Sequence, residues 1–107
     1  MNLNNVVLCG NLTADPEMKY IPSGKAVATM RMAVNNGFGD KQDTLFISVT
    51  VWGKMAENVA EFLKKGSNVG VVGRLKLDMW EKDGAKQSKI SVVANSVQFG
   101  KKLEENK

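Results

Sequence analysis

The sequence contains no histidine and a single cysteine. Histidine is the commonest general base near neutral pH and the commonest metal ligand, so its absence removes both roles at once. One cysteine cannot close an internal disulfide, which fits a reducing compartment. Cys9 lies in the apolar run VVLCGNL, where it reads as a small buried hydrophobe rather than a reactive thiol. There is no cysteine cluster, no glycine-rich phosphate loop and no G-x-S-x-G elbow. The 11 acidic residues are scattered, and Glu104 and Glu105 belong to a polar tail. No catalytic constellation, cofactor or metal site is therefore expected. The opening MNLNNVVLCG has neither a basic n-region nor a long apolar h-region, and no stretch reaches the length of a membrane span. These absences leave a cytosolic, non-enzymatic binding protein without a membrane partner as the leading class.

What is present is enough for one folded domain: 107 residues, 43% of them hydrophobic. The formal net charge of +4 is a modest surplus that suits a polyanionic partner. Along the chain, residues 5–12 read as a first strand, followed by a turn at Asp15-Pro16. Pro22-Ser23-Gly24 has the chemistry of a bend. From Lys25 to Val34 the pattern alternates, with Ala28, Met30, Met32 and Val34 on one face and Thr29 and Arg31 on the other. NNGFGDKQD is a loop carrying Phe38, and LFISVTVW at residues 45–52 is the next strand. The period then becomes helical: Met55, Val59, Phe62 and Leu63 share a face over roughly three turns, and Gly66 is the stop signal. NVGVVGRLKLDMW returns to a strand, with Val69, Val71, Leu75, Leu77 and Met79 opposite Val72, Arg74, Lys76, Asp78 and Trp80. Lys82-Asp83-Gly84 is a hairpin turn into a last strand, KISVVANSVQF. Five strands with one helix between the third and fourth match an OB-fold, a mainly β, partly open Greek-key barrel. A generic α+β roll has the same count. The domain is expected to span residues 1–100, with 101–107 a short polar tail.

In LFISVTVW the aliphatic Leu45, Ile47, Val49 and Val51 belong to the core face. Phe46 and Trp52 therefore stand with Ser48 and Thr50 on the polar side. Trp80 shares its face with Arg74 and Lys76, and Arg31 also points away from the aliphatic set. Phe38 is in a loop able to fold over the same surface. A single outward ring usually packs under a loop, a helix or another subunit. Four rings among cations point instead to single-stranded nucleic acid, whose bases stack on aromatics at roughly 1–3 kcal/mol each while cations track the phosphates. A duplex hides its base faces in its own stack. The small Ser48 and Thr50 leave the rings accessible. The rival from another class is a protein-interaction module whose aromatic face docks a partner.

Specific segments sharpen this. VVLCGNLTADPEMKYIPSGKAVA, with its G-N-L, D-P-E and Y-x-P-x-G pattern, is followed by VTVWGKMAENVAEFLKKGSNVGVVGRL and then by Trp80. In this order, over about residues 2–100, the chain resembles the bacterial-type single-stranded DNA-binding protein family, from which the stacking energy above is itself drawn. The resemblance implies an OB-fold that coats single-stranded DNA with little sequence preference in replication, recombination and repair, in the cytoplasm at the nucleoid. It places stacking aromatics at Phe38, Phe46, Trp52 and Trp80. Lys19, Lys54, Lys65 and Lys76 match positions that are often basic in the family, and the alternation adds Arg31 and Arg74 as phosphate contacts. Asp78 stands where many relatives carry a cation, and it can pair with Arg74 or Lys76. The family forms homotetramers, with dimers in some branches. The apolar Val6, Val7 and Leu8 suit either an edge strand that pairs or simple filling of the barrel. Family members usually continue into a glycine-rich linker and an acidic tip that recruits replication and repair enzymes. This sequence stops at KKLEENK, so such recruitment is expected only with a longer native tail. An RNA-binding or primosomal accessory protein of the same fold is the nearest alternative.

Overall fold

Alternating strands with one apolar face must bury that face, and here they do so by closing on themselves. The computed structural model describes residues 1, 3–37 and 43–100. In chain order the elements are β1 (Val6–Leu12), β2 (Glu17–Tyr20), β3 (Ala26–Asn36), β4 (Asp43–Trp52), α1 (Lys54–Phe62), β5 (Asn68–Lys82) and β6 (Ala85–Phe99). The strands form one 6-stranded sheet in the order β1-β5-β6-β4-β3-β2, and an extra β1–β3 pairing at Asn11↔Ala33 and Leu12↔Met32 closes the ring. The β4–β6 contact is parallel (Val49↔Val92, Thr50↔Val93) and joins the two hairpin halves of the barrel. This is the OB-fold that the element order predicts.

The barrel centre is filled by Ala28, Met30 and Met32 of β3, Val49 and Val51 of β4 and Val92 of β6, each with 0% exposure. Met30 lies directly across from Val49, so the two fill one layer of the barrel. Fully burying a side chain of this kind is worth about 1.5–3 kcal/mol. The helix plugs one end, packing against β3, β2 and β4 through the buried Ala56 and Val59. Asp15 braces the same end, its Oδ1 accepting a hydrogen bond from the Lys65 N–H at 2.8 Å.

The turns follow their chemistry. The Gly24 N–H donates to the Ile21 carbonyl at 2.8 Å, so Pro22 and Ser23 are the central pair of the predicted bend. At the other hairpin Lys82 pairs with Ala85 across Asp83-Gly84, whose φ values of 52° and 81° are those of a type I′ turn.

Five details depart from the sequence reading. The bend is flanked by an additional short strand, β2, whose pairing with β3 runs from Glu17↔Thr29 to Tyr20↔Ala26. The helix spans 9 residues and ends when Leu63 turns extended, before Gly66 is reached. Phe62 is not a core residue: it stays exposed and packs its ring against Phe99, with centroids 6.1 Å apart. Leu45, Leu75, Leu77 and Met79 are exposed as well. The reason is length: the β3–β4 and β5–β6 hairpins run past the barrel, so their inward-facing positions lose the opposite wall. Cys9, read as buried, is exposed on β1.

The β5–β6 arm begins at a bulge. Gly73 pairs with Ala94 but Val72 pairs with Ser96, which leaves Asn95 as the extra residue. Consequently Ala94 and Val97, three apart, both pack against the core. Asn4 anchors the base of the arm: the Leu75 N–H donates to Asn4 Oδ1 at 2.8 Å, and Asn4 Nδ2 donates to the Leu75 carbonyl at 2.9 Å.

Candidate functional site

The outer face of β3 and β4 is built row by row from their antiparallel register. Val27 stands opposite Trp52, Thr29 opposite Thr50, Arg31 opposite Ser48, Ala33 opposite Phe46 and Asn35 opposite Thr44. The residues between these rows face the core, so the outward assignment follows from the pleat. Phe46 and Trp52 therefore lie on one strip, separated by six residues of β4, or about 20 Å. On β4 the short polar Ser48 and Thr50 lie between them, and on β3 Thr29 and Arg31. Phe46 is 71% exposed and Trp52 41%, so both side chains reach solvent.

The strip widens on both sides. Through β2, Lys19 stands opposite Val27 and Glu17 opposite Thr29. Through β6, Thr50 neighbours Val93, which faces Arg74 on β5. Further along the arm, Lys76 faces Ser91, Asp78 faces Lys89 and Trp80 faces Gln87. Trp80 is 46% exposed. Three predicted stacking residues, Phe46, Trp52 and Trp80, thus lie on one continuous outer surface. Phe38, the fourth, lies outside the described residues.

The cations divide into groups. Arg31 is central, across from Ser48 and between the rows of Phe46 and Trp52. Lys89 reaches the same spot from the arm: its Nζ donates to Ser48 Oγ at 3.4 Å. Lys19 lies in the Trp52 row, and Lys54 opens α1 two residues beyond Trp52. Lys76 is partnered by Asp78, with Nζ and Oδ1 3.4 Å apart. The pair sits within one strand and leaves Arg74 out of it. Both side chains are about half exposed, and such surface pairs contribute on the order of 0–1 kcal/mol, so Lys76 stays available to a stronger anion. Lys65 is the outlier. Its backbone is held by Asp15 at the helix-capped end, and no contact among the described residues ties it to the strip.

Two positively charged groups escaped the sequence reading. Lys89 was legible in principle, because counting back from the two-residue turn puts it opposite Asp78. For Lys25 the alternation that starts there gives only the Thr29–Arg31 face, and its approach to Trp52 depends on how the bend is held. Its Nζ lies 5.6 Å from the centroid of the Trp52 ring. At the neighbouring edge the Tyr20 hydroxyl donates to Glu57 Oε2 at 3.2 Å, which ties β2 to α1. That hydrogen bond, and then the negative charge of Glu57, raise the phenol's pKa above its ordinary value. The tie is therefore intact at neutral pH.

Among the described residues, no group of three or more His, Cys, Asp or Glu side chains converges as a metal site, and no helix is long and apolar enough to cross a membrane. The surface offers exposed aromatic rings interspersed with cationic side chains.

Comparison with known proteins gives the same chemistry a family context. Residues 3–100 match the family model described as the single-strand binding protein family. The single-stranded DNA-binding protein 3 of Listeria innocua is 52% identical over 102 residues, covering 91% of this chain and 63% of the relative. The single-stranded DNA-binding protein of Bacillus cereus is 48% identical over 101 residues, covering 91% of this chain and 59% of the relative. Single-stranded DNA-binding protein A of Bacillus subtilis gives the same identity and coverage. The chain thus spans about three fifths of the length of the curated relatives it matches.

Proposed function

The chain belongs to the single-strand binding protein family, and we propose that the Phe46–Trp52 strip binds single-stranded DNA with little sequence preference. Bases stack on Phe46, Trp52 and Trp80, and the family resemblance adds Phe38 to the set. Phosphates are neutralised by Lys19, Arg31, Lys54, Arg74 and Lys76, joined by Lys89; Lys65 would act at the edge of the path. The observation that carries this reading is the register that sets Arg31 and Ser48 between two exposed aromatic residues on one face. Every base has a π-face, so a stacking platform of this kind is tolerant of sequence. Coating single strands in this way suits replication, recombination and repair at the nucleoid.

Titrating tryptophan fluorescence with oligo(dT) tests the reading, beside a duplex and a matched RNA oligomer of equal length. Strong quenching by the DNA single strand alone is the expected result. No quenching would mean that the rings are covered, and would remove the proposal. Lys54→Ala should lower the log–log salt slope of binding by about 0.7, the counterion release of one single-strand phosphate. An unchanged slope would strip Lys54 of its phosphate role.

Self-association is the second part of the proposal. Strand β1 pairs with β5 from Val6 to Asn11 but with β3 only at Asn11 and Leu12, so from Val6 to Gly10 its other edge has no strand partner among the described residues. Val7 on that stretch is 73% exposed. A long apolar edge of this kind is a template for pairing with a second copy. Light scattering is expected to give a mass four times that of one chain. A dimer mass would retain edge pairing alone, and a monomer mass would remove self-association.

A further inference from the structure

Lys25 is placed by backbone contacts on both sides of it. The Ile21 N–H donates to the Lys25 carbonyl at 3.0 Å, which closes the bend between β2 and β3. The next carbonyl, that of Ala26, accepts from the Gly53 N–H at 2.8 Å and ties the start of β3 to the end of β4. Trp52, one residue before Gly53, stands opposite Val27. Lysine and tryptophan are thus brought together by main-chain hydrogen bonds, and the ammonium rests 5.6 Å from the ring centroid. Among the described residues the ion pair found is Lys76–Asp78; Lys25 has an aromatic ring for a partner and no carboxylate.

We propose that Lys25 is a displaceable cover on Trp52: in the free protein its ammonium occupies one face of the ring, and on binding it moves to the phosphate beside the base that stacks there. The inference rests on the reading of the strip as a single-stranded DNA site. An exposed cation–π contact is weaker than the stacking of a base, so the incoming base wins the face. The displaced ammonium stays within reach, because the backbone at both ends of the pair is held. A phosphate then offers it a full negative charge, and among the described residues no carboxylate pairs with it. Removing Lys25 has two opposed consequences: the ring is uncovered before binding, and one phosphate contact is lost. Salt separates them, since only the phosphate contact releases a counterion.

The experiment uses the Trp80→Phe protein as parent, so that Trp52 is the one remaining tryptophan. Oligo(dT) is titrated over a range of salt concentrations against the parent, Lys25→Ala and Lys25→Arg. Lys25→Ala should lower the salt slope by about 0.7, so its affinity relative to the parent rises about fivefold for each tenfold increase in salt. Lys25→Arg should keep the parental slope. Without DNA, Lys25→Ala should alter Trp52 emission, because a charge has left its ring. An unchanged slope overturns the transfer to phosphate, and unchanged free-state emission overturns the cover. Failure of the underlying reading looks different: the parent itself would show no quenching by oligo(dT).

Discussion

Trp52→Ala is expected to weaken binding to oligo(dT) by roughly 5- to 150-fold, the equivalent of the ~1–3 kcal/mol that one stacked base contributes. The ring is 41% exposed, and its cross-strand neighbour is Val27 on the outer face, so its loss leaves the barrel interior intact. A thermal melt close to that of the wild type should accompany the loss of affinity. Phe46→Ala is expected to act in the same range. The two rings lie about 20 Å apart along β4, beyond the distance at which substitutions usually couple, so the double variant should show near-additive losses. A labelled oligomer followed by anisotropy measures all three proteins. A Trp52→Ala protein that melts normally and binds with unchanged affinity would exclude this ring from the interface.

The second large effect concerns the arm. Gly73 is buried at the bulge where β5 leaves the barrel, and a Cβ built there would overlap the Val93 carbonyl oxygen and press on the Ala94 backbone. Those atoms belong to the partner strand and cannot rotate away as a side chain would. Gly73→Ala should therefore cost about 1–3 kcal/mol, as overpacking of a filled interior does. In a domain of this size that corresponds to a fall in melting temperature of roughly 5–20 °C. Because Val93 bridges Thr50 to Arg74, the same shift should loosen the placement of Arg74 and Trp80 against the β4 strip. Weaker oligo(dT) binding at temperatures well below the melt is expected alongside. A variant as stable as the wild type would show that β6 can move aside without cost.

Much of the site is legible in the order of residues alone. Phe46, Ser48, Thr50 and Trp52 share a face because they are alternate residues of one strand, and the same holds for Arg74, Lys76, Asp78 and Trp80. The period of a strand depends only on neighbours in the chain, so these sets survive folding unchanged. Asp83-Gly84 announces its turn for the same reason: the required positive φ values are a property of those two residues. Errors arise where burial depends on what lies opposite. Leu45, Leu75, Leu77 and Met79 have the alternation of core residues but project on hairpins that outrun the barrel. Phe62 has the helical spacing of the core and instead meets Phe99, at the far end of the last strand.

The main strands, the helix, the Pro22-Ser23 and Asp83-Gly84 turns and the sets of side chains that share a face all follow from local stereochemistry and period. That the β4 face and the β5–β6 arm form one surface follows instead from pairing between distant strands. The tertiary structure also brought Lys89 to Ser48 and Lys25 to the Trp52 ring. Those placements depend on the parallel β4–β6 contact, the bulge at Asn95 and the hydrogen bond between Gly53 and Ala26, which join residues far apart in the chain. No local pattern carries them, since the free energy that selects a pairing is summed over the whole closed barrel.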